Sequence, residues 1–273
     1  MNLRLIFNEG WDTCRAGARG WLVPIVFVGL IGYLVIVLLN ADYMQEMGAA
    51  DIPRNSAHVV YLMTAGQGFY MLFAWAWLFA RIVTRDRDAR LDEVVLSLPI
   101  SLRGSLLGRY LGTVALGCAL GVASPLGILA VHPLGALGVL PADLVGPVPW
   151  FAMLHAWALF VVPGAFGLGA VFLAAAIKTR SSSGPFAVAA ALAAIWMVAM
   201  VVLRGGEAYI DVASLIDPIG YAEVEEQATL WTPLEKQASS LSLTWPLILN
   251  RLLWGVAPLT VLAWTKFVMR RAE

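Results

Sequence analysis

Charge is scarce in this chain of 273 residues: Asp, Glu, Lys and Arg make up 13% of it, against about a quarter in a soluble domain. Hydrophobic residues make up 60%, and the mean hydropathy is +0.78. So few polar side chains cannot shield that much apolar surface from water, and the composition belongs in a bilayer. Basic and acidic residues balance at 18 each, which argues against a nucleic-acid partner. The two cysteines, Cys14 and Cys118, fall at different expected depths, so no disulfide is expected. The three histidines, His58, His132 and His155, stand far apart, and there is no CxxC and no HExxH. No metal ligand set is expected from such spacing. GxxxxGK[ST] is also missing, so ATP phosphates are not held by that loop.

What is present is six apolar runs, roughly Trp21–Asn40, His58–Ala80, Leu106–Val131, Trp150–Ile177, Pro185–Leu203 and Leu247–Val268. Each has about 19 residues or more, enough at ~1.5 Å per residue to cross a hydrocarbon layer of ~30 Å. The expected fold is an all-α integral membrane protein with six transmembrane helices. The first run is too long for a signal-peptide core, and Ala41-Asp42-Tyr43-Met44 after it offers no small-residue cleavage site, so it reads as a retained helix. Lys and Arg divide 14 to 4 between the two sides, with Arg54, Arg204, Lys236 and Arg251 on the poorer one. Both termini are therefore expected on the cytoplasmic side.

No Asp or Glu lies inside these runs. Aspartyl intramembrane proteases need two such acids, and proton relays and ion-coupled pumps usually need one. A serine protease needs an activated Ser and a His at one depth, whereas Ser181–Ser183 stand at an inner edge with no His beside them. His155, alone in the fourth run, is expected to hydrogen-bond to a neighbouring helix. The remaining polarity at depth is mild: Thr64, Gln67, Thr113 and Ser124. Such an interior suits an apolar or amphiphilic cargo, or a lateral path to lipid.

Residues 1–20 are amphipathic, with Leu3, Ile6, Phe7, Trp11 and Cys14 on one face and Arg4, Asn8, Asp12 and Arg15 opposite. This reads as an interfacial helix with Trp11 and Trp21 near headgroup level. The second outer loop, 132–149, is rich in Pro and Gly and reads as irregular. The last outer segment, Arg204–Pro246, carries seven acids and two bases. Asp217-Pro218 marks a turn and Thr232-Pro233 opens a further element. Two short helices lying on the outer face, or a plain solvated loop, fit it. In the third run Gly108 and Gly112, then Gly117 and Gly121, form two small-xxx-small pairs, which suit close packing within the chain or a dimer face.

The charge-dense segment lies between runs two and three. Asp86 and Asp88 are read as opening a helix, where negative charge meets the positive end of the helix dipole, and Asp86 to Arg90 is an acid-to-base i, i+4 pair. Leu91, Val94, Val95 and Leu98 then share one face, and Pro99 stops the pattern. That face has to bury against a partner's groove or a neighbour, or lie on the inner leaflet as an ordinary amphipathic helix.

The stretch from Arg85 to Gly112, with Asp92, Glu93, Pro99, Ser101, Gly108 and Arg109 at its landmarks, resembles the permease subunits of type-2 ATP-binding-cassette exporters (ABC-2 permeases). Members of that family more often have Gly-Thr where this chain has Arg90-Leu91. The resemblance extends over nearly the whole chain as one transmembrane domain, 1–273. Asp217-Pro218-Ile219-Gly220-Tyr221, Leu230–Lys236 and Leu247–Trp254 are similar to a subgroup whose permeases are fused to, or encoded beside, a zinc aminopeptidase-like domain. The resemblance implies a cytoplasmic coupling segment at 81–105 and an extracytoplasmic loop at 204–246. It implies docking to a separate ATPase through Asp86, Asp88, Arg90, Leu91, Asp92, Glu93, Val94, Val95, Leu98 and Pro99. It further implies a bacterial cytoplasmic-membrane complex of two permease chains and two ATPase subunits, with ATP and Mg held by the latter. No catalytic residue is then expected here, and a peptidase-like partner outside the membrane is a further expectation. A non-transporting scaffold that uses the same helix, or an intramembrane enzyme, are the competing readings.

Overall fold

The structure, a computed structural model, describes residues 3–88, 102–203 and 210–262. Every regular element among them is helical. Six stretches are long and apolar enough to cross a membrane: Leu22–Leu39, Ala57–Arg85, Arg103–Ala136, Trp150–Thr179, Ser183–Val202 and Trp245–Leu262, here spans one to six.

Span one is α2 (Leu22–Leu39), apolar over its whole length. Leu34 and Leu38 are buried, while Ile25, Val28 and Ile36 face outward, as expected of a helix whose outer surface meets lipid. Span two, within α4 (Ala57–Asp88), is the axis of the bundle, with Tyr61, Leu72, Ala76 and Phe79 buried. Between them the short α3 (Ala41–Glu46) begins at Asn40, whose side chain accepts the Tyr43 N–H at 3.0 Å.

Span three is built from α5 (Leu102–Leu120), α6 (Ala123–Leu129) and α7 (Val131–Ala136). Helix thus continues five residues into the stretch expected to be an irregular loop from His132; the irregular part begins after Ala136. Span four comprises α8 (Trp150–Ala156), a π turn (Trp157–Val161) and α9 (Val162–Thr179). Span five is α10 (Ser183–Leu203). Span six comprises α14 (Trp245–Arg251) and a π turn (Leu252–Val256), followed by residues to 262.

Each π turn has a local cause. Pro163 follows the first and Pro258 the second. Proline offers no N–H and its ring crowds the carbonyl four residues back, so the preceding turn widens to i+5 bonding. The Ala257 N–H accordingly donates to the Leu252 carbonyl at 2.8 Å. The two widened turns meet: a Cβ on Gly255 would stand 2.6 Å from Pro163 Cβ.

The amphipathic helix α1 (Leu3–Arg19) does more than float beside the bundle. Ile6 is buried, and Gly10 packs against Gly108 and Gly112 of α5. Glu9 meets Arg109 at 3.1 Å on the same contact. Leu3, Phe7 and Trp11 form an exposed ridge at i, i+4, i+8 on another side. The four glycines of the two small-xxx-small pairs on span three all have neighbours inside this chain. Gly108 and Gly112 face α1, Gly117 faces the Trp75 indole, and Gly121 faces Val161.

The helices α1, α4 at its Arg85 end, α5 at its start and the turn between α9 and α10 gather at one end of the bundle, the basic end. The other end holds the loops. There the stretches 47–56 and 137–149 lace together. The Arg54 N–H donates to the Leu144 carbonyl at 2.8 Å, and Asn55 exchanges bonds with Gly146, donating to its carbonyl at 2.7 Å and accepting its N–H at 2.8 Å.

Candidate functional site

The last inter-span segment lies only partly on the loop end, where Lys236 donates to the Gly48 carbonyl at 3.1 Å. It forms α11 (Ile210–Ile216), α12 (Tyr221–Thr229) and α13 (Pro233–Ala238), and the turn between α11 and α12 dips into the bundle. A Cβ on Gly68 would stand 2.9 Å from the Ile219 Cβ. Gly68 lies eleven residues into α4, about 16 Å along its axis. The expected pair of short helices is therefore present, with a third beside it, but the first two enclose a re-entrant turn. Backbone at that depth has to find its partners inside the protein.

Asp217 supplies them. Its carboxylate accepts the N–H of Ile219 and of Ala222, each at 2.8 Å, and so caps α12. Gly220 takes a left-handed φ of 85° with the Arg251 guanidinium directly beneath, leaving no room for a side chain. From span six, the Asn250 amide donates to the carbonyls of Ser214 and Asp217, the latter at 2.8 Å. Arg251 Nε donates to Asn250 Oδ1 at 2.8 Å, and Nη1 donates to the Ile219 carbonyl at 3.3 Å. The guanidinium lies 5.4 Å from the centroid of the Phe160 ring. Trp254 Nε1 closes the contact with a 3.0 Å bond to the Leu215 carbonyl.

A second layer lies alongside. Glu223, 1% exposed, accepts from the Thr244 hydroxyl and from Gln227 Nε2, the latter at 2.9 Å. Ser214 donates to Glu226 at 3.2 Å. Burial first, and then the charge of Glu223, push the Glu226 carboxyl above its ordinary range.

Two stretches singled out in the sequence, 217–221 and 247–254, thus bond to one another through Asn250 and Arg251, with Trp254 tied to Leu215 just before the first. Asp217, Glu223, Asn250 and Arg251 are all buried, although Asp217 and Glu223 fall in the acidic segment expected as helices on the outer face or as a solvated loop. The Asp217-Pro218 turn was readable; the direction in which it points was not. With buried charges of both signs and saturated backbone carbonyls, the cluster works as a latch. It ties the re-entrant turn to span six and, through Ile219, to span two.

The residues expected to dock a partner are placed only in part. The backbone of Asp86 and Asp88 continues α4, so these two residues extend span two instead of opening a separate helix. No Gly or Pro interrupts the alternating Arg and Asp, and the helix runs on through them. Arg90, Leu91, Asp92, Glu93, Val94, Val95, Leu98 and Pro99 lie outside the described residues.

The polar residues at depth pair mainly with each other. Thr64 and Ser124 share a 2.8 Å bond, and the Thr113 hydroxyl donates to the Arg109 carbonyl of its own helix at 2.8 Å. His155 Nδ1 meets the Tyr61 hydroxyl at 2.8 Å across two spans. Gln67 differs: neither amide atom has a hydrogen-bond partner, and it is buried beside a void of about 10 Å³ that Trp75 and Ile219 also line. Among the described residues no group of three His, Cys, Asp or Glu is placed to hold a metal ion. No protein family, curated protein or solved structure matches this chain.

Proposed function

We propose that this chain is the membrane-spanning permease subunit of an ATP-driven exporter of the type-2 ABC class. It moves an amphiphilic cargo, either lipid-like or peptide, with energy from a separate nucleotide-binding subunit. The observation that carries this reading is the length of α4. Its 32 residues extend about 48 Å, against a hydrocarbon layer of ~30 Å. The helix is therefore long enough to carry its charged end past the hydrocarbon layer on the basic side, just before segment 89–101 in the sequence. That segment holds the Leu91/Val94/Val95/Leu98 stripe and Pro99, the form a groove on a partner protein accepts.

On this reading the basic end is cytoplasmic, α1 is the interfacial helix, 81–105 is the coupling segment and 204–246 is extracytoplasmic. Force applied at the coupling segment passes along α4, the axis of the bundle. Gly68 on that helix touches the re-entrant turn, so a tilt of span two is felt by the latch on span six. The partner's nucleotide state then biases a two-state bundle.

The test is purification of the chain from its native membranes. The expected companion is an ATPase with a phosphate-binding P-loop, in equal amount, together with a second permease chain. Leu98→Asp and Asp92→Arg are expected to lose the ATPase while keeping the thermal transition of the bundle. A folded chain recovered with no nucleotide hydrolase overturns the reading.

A further inference from the structure

Towards the basic end, α1, the start of span one, the end of α4 and the middle of α5 border a cavity of about 470 Å³. Among the described residues that line it the charged ones are all cationic, Arg81, Arg85 and Arg109, with the hydroxyls of Thr13 and Thr113 nearby and Trp21 and Trp77 at its apolar wall. Arg109 already holds Glu9. Arg81 and Arg85 stand one turn apart on α4 and are exposed, with the Arg81 guanidinium 5.5 Å from the centroid of the Trp77 ring.

A second hollow adjoins the first. A groove of about 440 Å³ runs between spans one, two and five, bordered by Leu22, Leu30, Tyr33, Phe73 and Phe186 among others. Leu22 and Trp77 line both spaces. From Leu22 to Tyr33 the groove follows span one for eleven residues, about 16 Å towards the middle of the bilayer. Its lining is almost wholly apolar, and Gly29 opens into it with nothing within 4 Å of where a Cβ would stand.

A cationic pocket that opens into an oily groove fits one kind of molecule. The geometry points to an anionic glycerophospholipid, its phosphodiester held by Arg81 and Arg85 and one acyl chain lying against span one. Guanidinium groups bind phosphate oxygens through paired N–H donors. Tryptophan at headgroup level and basic pockets between transmembrane helices are the settings in which such headgroups are held. This assignment rests on the two hollows and not on the presence of an ATPase, so it stands or falls separately from the function proposed above.

Native mass spectrometry and thermal unfolding of the detergent-purified chain test it, with phosphatidylglycerol, phosphatidylcholine or inorganic phosphate added. The expected result is one retained phosphatidylglycerol per chain, a preference of about tenfold over phosphatidylcholine, and no shift with inorganic phosphate. Arg81→Gln combined with Arg85→Gln is expected to abolish the preference. Both side chains are exposed, so folding should be kept. Gly29→Leu blocks the groove without a clash and is expected to weaken retention of both lipids, leaving the bare chain's unfolding temperature unchanged or higher. Equal retention of the two lipids, or a preference that survives the double variant, overturns the proposal. A shift reproduced by inorganic phosphate alone overturns the lipid and leaves a free-oxyanion site.

Discussion

Gly112 of span three lies against the backbone of Gly10 on α1, so close that a methyl group at Gly112 would fall on the Gly10 carbonyl oxygen. An amphipathic helix that could have rested on a membrane surface is thereby fastened to the bundle, with Glu9 and Arg109 paired beside the contact.

Gly112→Val therefore has to force two backbones apart. The expected cost is about 1–3 kcal/mol, the range for overpacking a closed contact, read as a lower unfolding temperature in detergent. A cysteine crosslink between α1 and α5 should form more slowly in the variant. If the substitution leaves both unchanged, α1 is not docked as described.

The latch predicts an order among substitutions. Asn250→Leu leaves two buried carbonyls without a donor and takes from Arg251 its Oδ1 acceptor, at roughly 1–3 kcal/mol for each unsatisfied group. Asp217→Ala removes the α12 cap and leaves Arg251 without its buried counter-charge, and should be at least as damaging. Asp217→Asn keeps an acceptor oxygen for one of the two N–H groups and should be the mildest of the three. Equilibrium unfolding measures the ranking, and an Asn variant as damaged as the Ala variant contradicts it.

Gln67 predicts the opposite sign. Its amide is buried and unbonded, so an apolar replacement of similar shape removes an unmet polar group at little packing cost. Gln67→Met is expected to raise stability by about 1 kcal/mol, visible as a higher unfolding temperature. A lower one would show that the amide makes a bond of its own.

The Thr232–Glu235 pair gives a pH dependence. The Glu235 carboxylate accepts both the backbone N–H and the hydroxyl of Thr232 at 2.8 Å, and these bonds hold its pKa below the ordinary value. A depressed carboxylate contributes its stabilisation above the unfolded-state pKa, about 4.3, and loses it as pH falls through the lower folded value. The protection factor for hydrogen exchange at the start of α13, taken against the intrinsic rate at each pH, should therefore fall on acidification below about pH 4. Thr232→Ala should show reduced protection there with little further dependence on pH.

The spans were readable because each is a continuous apolar run, and five of the six keep one or both ends within about two residues of where hydropathy puts them. Span three is the exception: its helix runs three residues before Leu106 and five beyond Val131. What hydropathy could not reveal is which way a polar segment faces. Asp217 and Glu223 sit among acids and turn residues, the composition of a wet loop, and only their partners make their burial tolerable: the N–H groups of Ile219 and Ala222 for the Asp217 carboxylate, with Asn250 on its carbonyl from 33 residues on, and Gln227 and Thr244 for Glu223. The same holds for Gly117, whose neighbour Trp75 lies on another span. The Arg-Asp alternation after Arg81 misled for a local reason: charge marks the edge of a membrane, but it does not end a helix.

The laced loops at the far end also bear on routes through the molecule. Arg54 is 5% exposed and donates to the Ala49 carbonyl at 2.7 Å, and Asn55 is clasped to Gly146 from both sides. Lys236 adds a 3.1 Å strut from α13 to the Gly48 carbonyl. Anything travelling along the axis would have to unpick this lid bond by bond and rehydrate a guanidinium on the way. If the chain is the exporter subunit proposed above, departure through the oily flank would break none of these bonds and would be the cheaper exit.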